Sequence, residues 1–380
     1  MRRILPVLLV VGTFFGLLLW AHAYFAQRLL VAPRVPEPFR SLGAYLLLAL
    51  AASIFVNPTV DRYFGPKAAR PIAWVAYVWM GSAFYLLLAL WTSDLLLFAA
   101  GLSSLAVERT RALVVLAVTT CVVVLGMFGA LRPAAIKRVA LALPGWPRAL
   151  DGYRVLQISD IHIGSLLQRR YAARLVAQCN AERPDLLAIT GDLVDGSAEK
   201  LREQTAPFGD LRARDGVYFI TGNHEYFSGD APWVRRVAEL GIRVLRNERI
   251  AIARDGAGFE LAGVDDYGSH RRAPNGPGFD LDATLAGWQP STPLILLSHD
   301  PRAFDLARAR GVQLQLSGHT HDGQMWPFRY LVRLQTRYLA GTYRDGASIL
   351  YVSRGTGFWG PPLRVLAPAE ITELTLRSAP

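Results

Sequence analysis

Arg154-Val155-Leu156-Gln157-Ile158-Ser159-Asp160-Ile161-His162-Ile163-Gly164 decides how this chain folds. Residues 154–159 are a short, mostly apolar run of strand character, and Asp160 and His162 follow directly at its end. The arrangement recurs. Strand-like runs at 186–190, 217–221, 294–298 and 312–317 lead into Gly191-Asp192, Gly222-Asn223-His224-Glu225, Ser298-His299 and Gly318-His319-Thr320-His321. Amphipathic stretches at 167–181, 231–240 and 301–310 read as helices, and 259–264 and 347–352 read as hairpin strands. Strands alternating with helices predict a layered α/β domain. In open α/β sheets ligands gather beyond the carboxyl ends of the strands, so five such loops can converge on one place.

The histidines concentrate there. Of seven in the chain, His162, His224, His299, His319 and His321 lie in these motifs, while His22 and His270 do not. One histidine after a strand is usually structural. Five near strand ends, mixed with Asp and Asn, point to metal ligation. Imidazole and carboxylate together suit Mn, Fe, Zn, Ni or Co rather than Ca or Mg alone.

The 380 residues are 52% hydrophobic, with a mean hydropathy of +0.24, and the excess is local. Residues 4–27, 41–60, 71–93 and 112–131 contain no Asp, Glu, Lys or Arg. Each is long enough to cross the hydrocarbon core, so residues 1–131 read as four transmembrane spans. Arg2, Arg3 and Ala21-His22-Ala23 would also suit a cleaved signal peptide, but the apolar run is longer than a usual signal core and further spans follow. Residues 132–150, basic and Pro-containing, read as a linker to a domain at 151–380.

The net charge is +11, with +7 in residues 1–132 and +4 in 133–380. Most of the basic excess therefore flanks the spans, and no dedicated nucleic-acid surface is expected. With the N-terminus inside, 8 basic residues fall on the inner side and 5 on the outer, which puts the catalytic domain on the cytoplasmic side. Cys121 and Cys179 lie in different regions and form no disulfide framework.

The ordered series Asp-x-His, Gly-Asp-x-x-Asp, Gly-Asn-His-Glu, His and Gly-His-x-His resembles the calcineurin-like metallophosphoesterase superfamily across 151–380. Ser159–Gly164, Ser317–His321, Ser353-Arg354-Gly355 and Gly360-Pro361-Pro362-Leu363-Arg364 are similar to the bacterial YkuE- and YaeI-type subgroup. The chain departs from that subgroup at Asp322, where the pattern has Gly.

The resemblance implies a four-layer α/β/β/α sandwich and two divalent metals, Mn first, with Fe, Zn, Ni or Co as options. Asp160, His162 and His321 would hold one ion and Asn223, His299 and His319 the other, with Asp192 bridging. A hydroxide between the ions would attack phosphorus. His224 would assist the leaving group, oriented by Asp195, whose plainer reading is a turn residue. Glu225 is either a supporting acid or a helix-start residue.

Arg354 and Arg364 suit either phosphate binding or surface ion pairs. Arg271 and Arg272, beside Asn275-Gly276, read as a solvated loop. Residues 325–339 mix aromatic, aliphatic and Arg residues and suit a membrane-interface lip or a core element capping the site.

The expected function is hydrolysis of a phosphoester or pyrophosphate in a phosphorylated small molecule or lipid, by an integral protein of the bacterial inner membrane. A related family includes hydrolases of the lipid A precursor UDP-2,3-diacylglucosamine, which makes that compound a candidate by resemblance. A catalytically silent membrane sensor or scaffold would predict a broken ligand set, and a membrane-tethered nuclease would want a basic groove.

Overall fold

A computed structural model describes residues 4–379 except 255 and 273–277, and the side chains of 4–11, 14, 271 and 272 also lie outside the description. The expected solvated loop at 271–276 and part of the first apolar run therefore fall outside the described residues. The chain forms two compact units. One comprises the residues up to Phe128 together with Gly360–Leu363, and the other Gly129–Trp359 with Arg364 to the C-terminus.

In the first unit, α1 (Ile4–Ala26) runs on into a π-helical turn, Gln27–Val31. Among the described residues, three helices are long and apolar enough to cross a membrane: α2 (Phe39–Phe64), α3 (Pro66–Ala99) and α4 (Leu105–Leu131). Gly65, at φ +82°, ends α2, and Pro66 opens α3, where its missing N–H costs nothing. Small residues Ala69, Ala73 and Ala76 are buried along α3, while Leu95, Phe98, Leu113, Leu125 and Phe128 face outward, as expected of helices whose solvent is hydrocarbon. Charges here are paired: Asp94 on α3 meets Arg28 and Arg111, each at 2.7 Å, and accepts a hydrogen bond from Tyr24 at 2.6 Å.

The second unit is built on two six-stranded sheets. The first has the order β1 (Ala135–Leu143), β12 (Glu370–Ser378), β2 (Tyr153–Ile158), β3 (Leu186–Ile189), β4 (Val217–Phe219) and β5 (Arg243–Val244). The second runs β10 (Gly341–Asp345), β11 (Ser348–Val352), β9 (Leu314–Ser317), β8 (Leu294–Leu297), β7 (Ala257–Gly263) and β6 (Glu248–Arg254). Pairing is parallel except at β12/β2, β10/β11 and β6/β7.

Val155, Ala188 and Leu374 from one sheet and Leu261, Ile295, Leu316 and Tyr351 from the other share one buried cluster, so the sheets pack face to face. Helices cover the outer faces. On α5 (Arg169–Ala181), Ala172, Leu175, Val176 and Cys179 form the buried stripe at helical spacing. A second cluster, with Leu281, Trp288 and Ala307, backs β8. This is the α/β/β/α layering expected from the sequence.

The region read as a linker is instead part of the sheet. Residues 135–143 form β1, parallel to β12, and Leu141, Leu143 and Trp146 enter the main core. Its two basic residues meet acids on neighbouring elements: Lys137, on the face of Leu141 and Leu143, lies 3.4 Å from Glu370, and Arg138, on the opposite face, 2.7 Å from Glu182. An edge strand interrupted by two adjacent charges carries little apolar signal, which is why composition reads it as a spacer.

Candidate metal centre

Five parallel strands present their carboxyl ends together. β2 supplies Asp160 and His162, β3 Asp192 and Asp195, β4 Asn223 and His224, β8 His299, and β9 His319 and His321. Three of the five loops, those after β2, β3 and β9, turn sharply. Asp160, His162, Asp192, His319 and His321 adopt φ between +51° and +74°, a left-handed region that non-glycine residues enter rarely. Such strain persists where the surroundings over-determine it, and it clusters at functional sites.

Two glycines show how tight the packing is. A Cβ on Gly222 would lie 2.2 Å from Asp192 Oδ1, and one on Gly191, at φ +90°, would lie 2.7 Å from the backbone nitrogen of Gly222.

Two trios of donor atoms result, each within 4.8 Å of one another: Asp160, His162 and His321, and Asp192, His299 and His319. In the first, His321 Nε2 is 3.2 Å from Asp160 Oδ1 and 3.1 Å from His162 Nε2. In the second, His299 Nε2 is 3.1 Å from Asp192 Oδ2 and 3.2 Å from His319 Nδ1.

The far ring nitrogens fix the tautomers. His299 Nδ1 is 2.8 Å from the carbonyl of Thr190, an acceptor, so Nδ1 carries the proton and the Nε2 lone pair faces the site. His162 Nδ1 is 2.9 Å from Asp195 Oδ1, with the same consequence. The Nε2 lone pair of His299 thus faces the Asp192 carboxylate at 3.1 Å, acceptor to acceptor, which suits a cation and not a hydrogen bond. Asn223 adds a buried side-chain oxygen with no hydrogen-bond partner among the described residues. The donor set therefore fits two divalent ions. Asp192 also forms a group with His162 and His224, so its carboxylate reaches toward both trios.

Charge is balanced around this centre. Burial alone would raise the Asp192 carboxyl, but His299 and His224 hold it well below the usual range. Burial lowers His321 to about 4, which favours the neutral ligating form. Burial works against charging His224 too, yet Asp192 and Asp195 lift it to about 9.

Asp195 Oδ1 sits 2.6 Å from His224 Nδ1 as well as 2.9 Å from His162 Nδ1, a double contact that sequence reasoning placed on one partner only. His224 also donates its backbone N–H to Asp192 Oδ1 at 2.8 Å.

Glu225 is fully buried and accepts three backbone N–H bonds: from Asp192 (3.0 Å), Leu193 (2.8 Å) and Gly222 (2.7 Å). It locks the Gly-Asp loop to the Gly-Asn-His-Glu loop. Burial, then the charge of Asp192, pushes its carboxyl up to about 8 against the pull of those N–H groups.

The two arginines part ways: Arg354 forms ion pairs, as one reading of the sequence had it, and Arg364 fits neither reading. Arg354 is partly buried and held by Asp322 and Glu370, each at 3.1 Å. Arg364 is buried and donates to the carbonyls of Arg354 and Ala367, with Nη2 3.3 Å from His321 Nδ1. It is neither a surface ion pair nor open to a phosphate, because the turn around Gly357 encloses it. Asp322, the departure from the subgroup pattern, neutralises Arg354 and Arg329.

The segment after the Gly-His-x-His motif is no core cap over most of its length. Trp326, Phe328, Tyr330, Leu331 and Leu334 are exposed, and Thr336, Tyr338 and Leu339 near its end are buried.

A two-sheet α/β/β/α domain with metal-ligand trios at its strand ends defines a metal-dependent phosphoesterase. A calcineurin-like phosphoesterase profile matches residues 153–323. A transmembrane protein with metallophosphoesterase domain from Bos taurus is 37% identical over 302 residues, covering 76% of this chain and 68% of that protein. The metallophosphoesterase YkuE of Bacillus subtilis is 33% identical over 248 residues, covering 61% of this chain and 82% of its own. Among solved structures, the NAD nucleotidase of Haemophilus influenzae aligns with a TM-score of 0.36 at 18% identity, over 54% of this chain and 45% of that one.

The chain belongs to the calcineurin-like metallophosphoesterase family. It spans 68% and 62% of the length of the Bos taurus and Danio rerio relatives.

Proposed function

We propose that this protein hydrolyses a phosphoester or pyrophosphate bond in a membrane-associated or lipid-linked compound, using two divalent ions, Mn²⁺ first among them. Asp160, His162 and His321 hold one ion, Asn223, His299 and His319 the other, and Asp192 is shared. Two divalent ions held there would supply positive charge at the phosphoryl oxygens and would acidify a bound water.

The chain's own groups do the rest. Asp195 fixes the His224 imidazole, and His224 delivers a proton to the departing oxygen. Glu225 keeps the Asp192 and Asn223 loops in register. The observation that carries this reading is the placement of Asp192 within reach of both histidine trios.

The membrane part of the reading rests on three helices able to span a bilayer and on the exposed Trp326, Phe328, Tyr330 and Leu331 following His321. Ile4–Ala26 supplies a fourth span on this reading. The distribution of basic residues puts the catalytic unit on the cytoplasmic side of a bacterial inner membrane.

The test is a screen of the full-length, Mn²⁺-loaded protein against aryl phosphodiesters, nucleotides, phospholipids and nucleotide-linked lipids. One headgroup is offered with long and very short acyl chains. Two ions per chain and a higher kcat/KM for the long chain are expected, and Trp326→Ala with Phe328→Ala should reduce that preference. Fewer than one ion per chain, with no hydrolysis, would overturn the two-metal reading. A soluble nucleotide as best substrate would overturn the membrane reading.

A further inference from the structure

The surroundings of His224 are lopsided. On the side of the ligand trios everything is polar or ionic. On the other side stand two aromatic rings, Phe227 at 5.5 Å and Trp359 at 5.9 Å between ring centroids, both nearly perpendicular to the imidazole. Neither is part of the core: Phe227 is 65% exposed and Trp359 54%. Large apolar side chains left in water beside a catalytic group are the informative exception to burial.

Both are held in place. Phe227 lies three residues after His224 in the helix Asn223–Ser228, so the two side chains share a helix face. Trp359 is clamped through its backbone. Its N–H donates to Gln324 Oε1 and its carbonyl accepts from Gln324 Nε2, each at 2.9 Å. Gln324 is itself buried, three residues beyond His321. Its backbone carbonyl accepts from Val365, and Leu366, the next residue, is 74% exposed. The loop that carries a metal ligand therefore also carries the aromatic wall.

We infer that Phe227 and Trp359 form a leaving-group subsite for a hydrocarbon-bearing alcohol, so that the apolar part of the substrate departs with the oxygen that His224 protonates. This rests on the proposed role of His224 and adds which half of the ester is apolar. In the step, the P–O bond to the departing oxygen breaks and its electron pair stays on that oxygen. His224 gives it a proton, and water supplies hydroxyl to phosphorus and the balancing proton. Atoms next to the departing oxygen then lie against the two rings. A hydrocarbon is the occupant assigned because Phe227 and Trp359 present apolar ring faces and, apart from the Trp359 indole N–H, no group to pair a base edge.

Two diester series with full-length, Mn²⁺-loaded protein test this. In methyl 4-alkylphenyl phosphates the chain departs with the phenol. In alkyl phenyl phosphates the same chain stays on phosphorus. Equal chains partition equally into detergent, so each series controls the other. Lengthening the chain from methyl to hexyl should raise kcat/KM at least about ten-fold in the first series and less than about two-fold in the second. Phe227→Ala with Trp359→Ala should abolish the difference, and Gln324→Ala, which frees the backbone of Trp359, should diminish it.

A gain on the retained side, a gain that survives the ring deletions, or a nucleoside leaving group that outruns the alkylphenols would overturn the inference. Hydrolysis of neither series with two ions bound would instead overturn the phosphoesterase reading beneath it.

Discussion

Glu225 offers the sharpest test of how the centre is held together. Its carboxylate is fully buried and receives N–H bonds from Asp192 and Gly222 on Oε2 and from Leu193 on Oε1. Each buried donor left unmatched costs about 1–3 kcal/mol. Glu225→Ala orphans three, so the loss is about 3–9 kcal/mol, comparable to a domain's whole stability. Glu225→Gln can keep its oxygen at the Oε2 position and opposes only the Leu193 N–H with an amide, a loss of about 1–3 kcal/mol. At about 1.4 kcal/mol per decade, Gln should speed local opening roughly ten- to hundred-fold.

Hydrogen exchange of the full-length protein reads this directly. Peptides covering 186–196 and 217–228 should lose protection, while the β6–β7 hairpin keeps it. Metal content should fall with protection, more for Ala than for Gln. Unchanged exchange in both loops of Glu225→Ala, with metal retained, would show that Glu225 does not lock them.

Asp192→Ala should lose more metal than His299→Ala or His321→Ala, because its carboxylate faces both trios; elemental analysis that finds both ions retained would remove it as a bridge. His224→Ala should keep its metal and lose about 10²–10⁴-fold in turnover, less for a nitrophenyl leaving group, which needs no proton; an equal loss for good and poor leaving groups would contradict its role as an acid. Gly222→Ala should displace the Asp192 carboxylate, since the added Cβ would come within 2.2 Å of Oδ1 and 2.6 Å of the backbone nitrogen; about 10²-fold lower turnover is expected from such a shift, and an unchanged rate would mean the loop yields elsewhere.

The strand ends were legible because apolar runs stop at residues with no other reason to be there. Asp160, Asp192, His299 and His319 read as metal-binding types before any contact was known, and the structure brings their loops together. The left-handed backbone of Asp160, Asp192 and His319 was not legible, because nothing in an Asp or His announces positive φ, and only the surrounding contacts impose it. Arg364 could not be placed from sequence, since its partners are carbonyls of distant turns and not charges. Asp195 was read as serving His224; its second contact with His162 depends on two loops from different strands meeting. Phe227 and Trp359 show the same limit: sequence gives an aromatic residue, and only packing decides whether it faces the core or the mouth of a site.

The pairing of β1 with β12 has a consequence in time. β1 ends at Leu143 and its partner begins at Glu370, so roughly 230 residues must be made between them. At about 5–20 residues per second that takes on the order of 10–50 s. Throughout, β1 has left the ribosome directly behind a membrane helix with no strand to pair with, and Leu141, Leu143 and Trp146 have no core to enter. Two adjacent charges, Lys137 on the face of Leu141 and Leu143 and Arg138 on the opposite face, keep that waiting edge in water, as charged edge strands resist pairing with other chains. The acids that later neutralise it, Glu370 and Glu373, arrive on β12 itself. The sheet that carries three of the five metal-site loops is thus closed by a segment made well after the last ligand, His321, and metal loading of the newly made protein should lag behind synthesis of the ligands.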